Sequence, residues 1–215
     1  QPNKYTMKNI PTLFERDDKG ALDPHKIHPN AQWVLSVDLA RATKKYDGTA
    51  CRLKRGRLSK RFVRERSGAS PQGWIPAQNS ADDNNTWPGW TPITPDPADD
   101  CFREAKKNSD PTQEGTYELC GPTINGNPEG LKEHKLIKHG DKNLSDFPRY
   151  EKPKGNTPRE IGIATKAFYD QIEEYLKTHD IEGVVFYHRD ATRMAKIKKK
   201  DFGLPRAPEA VLSKA

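Results

Sequence analysis

The longest periodic stretch runs from about Pro158 to Thr178. Ile161, Ala164, Phe168, Ile172, Tyr175 and Leu176 recur there at helical spacing, which predicts an amphipathic helix with one face in the core. Thr157 is placed to cap it, Pro158 suits the first helical position, and Glu160 completes a capping box. Elsewhere the period shortens to two. Thr49 to Leu53 and Leu58 to Arg64 alternate on either side of Arg55-Gly56-Arg57, which predicts a hairpin with a glycine turn. Gln32 to Val37, Gly115 to Gly121, Val184 to Tyr187 and Met194 to Ile197 also read as strands. Residues 1–31 are polar, with one apolar patch around Ile10, Leu13 and Phe14. The stretch at about 68–112 fits neither period. It is rich in Pro, Asn and Asp and carries Trp74, Trp87 and Trp90, so it reads as a long inserted loop that its tryptophans tack onto the body.

Composition adjusts this picture. The 215 residues suffice for one sizeable core, but only 33% are hydrophobic, so the core should be modest under long polar loops. A net charge of +7 favours acidic partners, nucleic acid above all, because neutralised phosphates release counterions. Cys51, Cys101 and Cys120 show neither zinc-ligand nor redox spacing, which suggests an intracellular, reducing compartment such as the cytoplasm. No apolar run reaches the ~20 residues that span a bilayer, so no membrane partner is expected.

The candidate chemistry starts at Lys45-Tyr46-Asp47-Gly48. A lysine is a nucleophile only when neutral, and at an ordinary pKa of ~10.4 about one in 2500 is neutral at pH 7. It therefore needs cations or a dry site nearby. Lys196 and Lys198 share a strand face by their period of two and supply that charge; Lys44 points away from Lys45 if the segment is extended. Gly48 allows close backbone approach, and Asp47 holds a turn or orients a metal-bound water.

These residues, with Tyr117-Glu118-Leu119-Cys120-Gly121, Glu182-Gly183-Val184-Val185 and Lys196-Ile197-Lys198, resemble motifs I, III, IV and V of the covalent nucleotidyltransferases in order and spacing. That superfamily contains DNA ligases, RNA ligases and mRNA capping enzymes. Ile10-Pro11-Thr12-Leu13-Phe14, Trp74-Ile75-Pro76-Ala77, Pro88-Gly89-Trp90 and Ile124-Asn125-Gly126-Asn127-Pro128 are similar to landmarks of the small single-domain ATP-dependent 5′-3′ RNA ligases of vertebrate type. The resemblance implies an α+β fold, an ATP-grasp-like ligase adenylation (nucleotidyltransferase) domain of mostly antiparallel sheets with flanking helices, spanning 1–215 as one domain. It implies three steps. Lys45 attacks the α-phosphorus of ATP and releases pyrophosphate; the AMP passes to a 5′-phosphate RNA end; a 3′-hydroxyl then seals the strand. Carried over by position, Lys45 is the nucleophile, and Glu182 organises a divalent cation, Mg2+ or Mn2+. Glu118 binds ribose or metal-bound water and is the second residue expected at the metal. Lys196 and Lys198 hold the α-phosphate, and Arg64 contacts ribose or acceptor phosphate, with Arg66 and Arg61 as rivals. Lys44, Asp47 and Gly48 complete the nucleotide side, His139 stands where an aromatic stacks on the base, and Val184 covers the adenine's other face. Basic residues from Arg52 and Lys54 to Arg66 track RNA.

No OB-fold domain fits in residues 201–215, which disfavours a two-domain DNA ligase or capping enzyme and leaves Lys198, Lys199 and Lys200 as candidates to orient pyrophosphate. A monomer is expected. Two alternatives stay open: a relative using another nucleotide or a DNA acceptor, and a basic RNA-binding module without turnover.

Overall fold

The structure, a computed structural model, describes residues 9–207. In chain order its strands are β1 (Phe14–Arg16), β2 (Leu22–Ile27), β3 (Ala40–Lys45), β4 (Thr49–Lys54), β5 (Arg57–Glu65), β6 (Ile75–Pro76), β7 (Thr86–Pro92), β8 (Gly115–Cys120), β9 (Lys135–Lys138), β10 (Gly183–His188) and β11 (Met194–Lys198). Helices α1 (Asp100–Ser109) and α2 (Pro158–Thr178) accompany them. All the paired strands are antiparallel, in sheets ordered β1-β2, β11-β10-β3 and β6-β7-β5-β4-β8-β9, so the class is α+β. Among the described residues no helix is long and apolar enough to cross a membrane.

The chain separates into two compact units. One contains residues 46–139, with the six-stranded sheet and α1. The other joins residues 10–45 to those from Gly140 onward and contains both smaller sheets and α2.

In the second unit, α2 begins with the predicted capping box. Thr157 Oγ1 accepts from the Glu160 N–H at 3.2 Å, and Glu160 Oε2 accepts from the Thr157 N–H at 3.1 Å. Its buried stripe is Thr165, Phe168, Ile172, Tyr175 and Leu176, packed with Phe14, Val184, Phe186 and Ile197. The stripe starts one turn later than the sequence suggests, since Ile161 stays 44% exposed. Thr165 enters the core in its place because its hydroxyl donates to the Ile161 carbonyl at 2.8 Å and so carries no unmet polar group inside. The expected strand at Gln32 to Val37 is instead part of a 3-10 helix, Pro29–Leu35. Pro29 has a φ suited to the first turn, His28 Nδ1 accepts from the Asn30 N–H at 3.1 Å, and Trp33 Nε1 donates to the Asn30 carbonyl at 2.9 Å. Alternation alone registered none of these local bonds.

In the first unit, the β4–β5 hairpin turns at Arg55 and Gly56, both left-handed at φ 50° and 71°, as a tight two-residue turn demands. One face of this sheet carries Cys51, Leu53, Tyr117 and Leu119 and packs against Phe102 and Ala105 of α1. The stretch at 68–112 is not structureless: it supplies β6, β7 and α1. Strand β7 pairs with β5, about one hairpin away in sequence, and its local composition of Pro, Gly and Trp hides this. Asp99 anchors the start of α1. It is 1% exposed and accepts from Lys60 Nζ at 2.5 Å and from the Thr94 N–H at 2.9 Å.

Candidate active site

The expected functional residues fall into two groups, one on each unit. In the second unit the three-stranded sheet sets them in rows. Lys45 pairs with Gly183, which pairs with Lys198; Thr43 pairs with Val185, which pairs with Lys196. Residues in register, and residues two apart, share a face. Lys45, Lys196 and Lys198 therefore lie on one face, with Gly183 between two of them. Gly183 is there for packing: an added Cβ would lie 2.3 Å from the Ile197 carbonyl oxygen. Glu182, just before β10, accepts from Lys45 Nζ at 2.8 Å, and both side chains are about a quarter exposed (24% and 25%).

The same register revises three assignments. Val184 lies on the opposite face and is fully buried in the core with α2, so it cannot cover a base beside Lys45; Val185 is the valine on the lysine face. Lys44 likewise faces away from Lys45 and lines a cleft with Lys142, Tyr175 and His179. Lys199 is 2% exposed and donates to the Arg206 carbonyl at 2.6 Å, which removes it as a phosphate ligand. Burial lowers its pKa from the ordinary lysine value.

In the first unit the second group lies on the sheet face away from α1. Thr116 pairs with Arg52, Arg52 with Ser59, Glu118 with Ala50 and Arg61 with Trp90, so Glu118, Arg52, Arg61 and Trp90 share that face. Glu118 is 8% exposed, and its Oε2 meets His139 Nε2 at 2.6 Å. This bond takes one of the two carboxylate oxygens of Glu118. Gly48 lets its own segment press against β8, where a Cβ would lie 2.1 Å from the Leu119 carbonyl oxygen. Asp47 and Gly48 are held by Asn125 and Glu129 of the following loop.

The arginines are sorted by strand parity. Arg64 is on the opposite face from Glu118, wedged between the rings of Trp74 and Trp87 at 4.7 Å from each, and donates to the Gly68 carbonyl. Arg61, one of its rivals for the expected contact with ribose or acceptor phosphate, lies on the Glu118 face. Burial lowers the Arg61 guanidinium from its ordinary value, and the Glu118 carboxylate opposes that shift. Arg52 is not on an exposed RNA track either; it is 7% exposed, with its guanidinium 5.4 Å from the Trp90 ring centre. Lys54 and Arg66 are exposed. Three polar atoms on or beside this face, Arg52 Nε, Trp90 Nε1 and His139 Nδ1, are buried with no hydrogen-bond partner among the described residues. Alternation within each strand separates Arg61 from Arg64 and Val184 from Val185, but only the register between strands puts Arg61 with Glu118 and Val185 with Lys196. Trp90 carries no such signal, because Pro88 and Gly89 break the alternation of its strand.

Among the described residues no three His, Cys, Asp or Glu side chains converge as a metal cage. Magnesium is commonly bound by one or two carboxylates with water and phosphate oxygens, and the partly exposed Glu182 beside Lys45 fits that role. In comparisons with known proteins, the chain matches no family model, and no curated protein is significantly similar to it.

Proposed function

We propose that this chain is an ATP-dependent RNA ligase with a nucleotidyltransferase fold, working through a lysyl-AMP intermediate. The observation that carries the reading is the row Lys45–Gly183–Lys198, with Lys196 on the same face and Glu182 at 2.8 Å from the Lys45 amine. One amine is thereby set on a face with two further cations, as a lysine that must attack a phosphorus requires, and one carboxylate lies within its reach.

In the first step the Lys45 amine attacks the α-phosphorus of ATP. A P–N bond forms, the P–O bond to pyrophosphate breaks, and the amine's proton passes to the departing pyrophosphate or to solvent. Glu182 is the residue that would hold a divalent cation, which supplies neutralising charge at the phosphates when bound. Lys196 and Lys198 offset the negative charge spread over the α-phosphate oxygens. The AMP then moves to an RNA 5′-phosphate, and attack by a 3′-hydroxyl makes the phosphodiester and frees AMP. The orphaned polar atoms around Trp90 and His139 support a polar ligand on the Glu118 face, since buried donors and acceptors are ordinarily satisfied. The charge of +7 and the free cysteines fit an RNA-handling protein of a reducing compartment.

The test is incubation with α-labelled ATP and magnesium, followed by peptide mapping of the intact adenylate. Label is expected on Lys45 and absent from Lys45→Ala, which should still bind RNA. Label in the mutant would remove Lys45 as nucleophile, and no label in the unmodified chain would leave a basic RNA-binding protein. GTP in place of ATP, and nicked DNA in place of RNA, discriminate the related activities.

A further inference from the structure

The landmark Asn125-Gly126-Asn127-Pro128 has no part in the chemistry above, yet its loop makes direct bonds to the Lys45-Tyr46-Asp47-Gly48 motif. Asn125 Nδ2 donates to Asp47 Oδ1 at 2.9 Å and to the Gly48 carbonyl at 3.1 Å. Glu129 Oε1 accepts from the Asp47 N–H at 3.1 Å. One loop thus grips the turn through its carboxylate, its amide and its carbonyl.

The loop is itself braced. Asn127 exchanges two bonds with the Leu131 backbone, at 2.9 Å and 3.0 Å. Its base is fixed by His134, whose Nε2 meets Thr123 Oγ1 at 2.7 Å and whose Nδ1 meets Glu104 of α1 at 2.9 Å. Asn125, Gly126 and Asn127 are all left-handed, at φ 51°, 74° and 58°. Outside glycine, asparagine is among the residues that adopt this region most readily. Three successive left-handed residues therefore bring one side-chain amide to Asp47.

We propose that Asn125 and Glu129 are positioning residues that lock the Asp47-Gly48 turn, so that Asp47 offers its other oxygen, Oδ2, to the nucleotide in a single orientation. This rests on the adenylation reading for its consequence and on the loop geometry for its existence. A carboxylate on an unbraced turn samples several rotamers, and orientation of reacting groups carries large rate factors.

Four variants test it. Asn125→Gly removes the amide yet suits a left-handed residue, and Asn125→Asp keeps the shape and the backbone preference but sets a carboxylate against Asp47. Glu129→Ala removes the acceptor, whereas Glu129→Gln keeps an accepting oxygen. Hydrogen exchange of the Asp47 amide should quicken by roughly tenfold in Glu129→Ala and stay slow in Glu129→Gln. In single-turnover labelling, both Asn125 variants should lose about tenfold or more in maximal rate, with the half-saturating ATP concentration and the unfolding midpoint kept. Unchanged Asp47 exchange in Glu129→Ala overturns the clamp even in an active enzyme. Wild-type maximal rate in Asn125→Gly overturns the positioning role. An unmodified chain that never labels sinks the proposed function instead, and amide exchange then decides the clamp alone.

Discussion

Substituting Gly183 by alanine separates the packing argument from the chemical one. The added Cβ would sit 2.3 Å from the Ile197 carbonyl oxygen and 2.8 Å from Lys198 Cα, where ordinary contact begins at 3.4 Å. The obstructing atoms are backbone and cannot rotate aside, so β10 and β11 must part by roughly 1 Å. Overpacking of this kind costs about 1–3 kcal/mol. Because Gly183 pairs with both Lys45 and Lys198, the same shift pulls the row that holds the proposed nucleophile out of register. A displacement of ~1 Å between reacting groups costs on the order of 100-fold in rate. Urea unfolding, read at constant m-value, reports the first loss, and single-turnover transfer from α-labelled ATP to Lys45 reports the second. A Gly183→Ala protein with unchanged unfolding midpoint refutes the packing argument. One that is destabilised but labels at the normal rate refutes the link between the row and the chemistry.

Asp99→Asn should lower stability by about 1–2 kcal/mol in urea, because it removes a charge-assisted bond from a carboxylate 1% exposed to a Lys60 ammonium that still reaches solvent at 34%. Burial raises the Asp99 carboxyl, but the bonds from Lys60 and Thr94 lower it further, leaving its folded pKa below the ordinary range. Its stabilisation is thus complete above the usual carboxylate pKa of ~3.9 and is lost as pH falls through the depressed value; an acid unfolding curve indifferent to Asp99→Asn would contradict this. Arg61→Ala should cut adenylate labelling with little change in unfolding, while Arg64→Ala should do the reverse, since Arg64 gives up two tryptophan contacts worth about 0.5–2 kcal/mol each. Exchange of those two phenotypes would reverse the facial assignment.

The sequence by itself determined whatever depends on neighbours along the chain. The α2 capping box, the Arg55-Gly56 turn and the short strands around Glu118, Val184 and Ile197 are set by local bonds and by alternation, and all of them formed. It also determined that Lys196 and Lys198 share a face and that Lys44 and Lys45 do not, because strand parity is a property of the backbone. Tertiary structure decided which face is which. Alternation cannot say whether Val184 or Val185 meets the core; burying α2's apolar stripe against the three-stranded sheet turned Val184 inward. Likewise Arg61 and Arg64 differ only in parity, and the packing of α1 on one side of the six-stranded sheet left Arg61 with Glu118 and put Arg64 between two tryptophans. Strand β7 had no periodic signal because Pro88 and Gly89 interrupt it, and its pairing with β5 supplies the bonds that its own sequence does not announce.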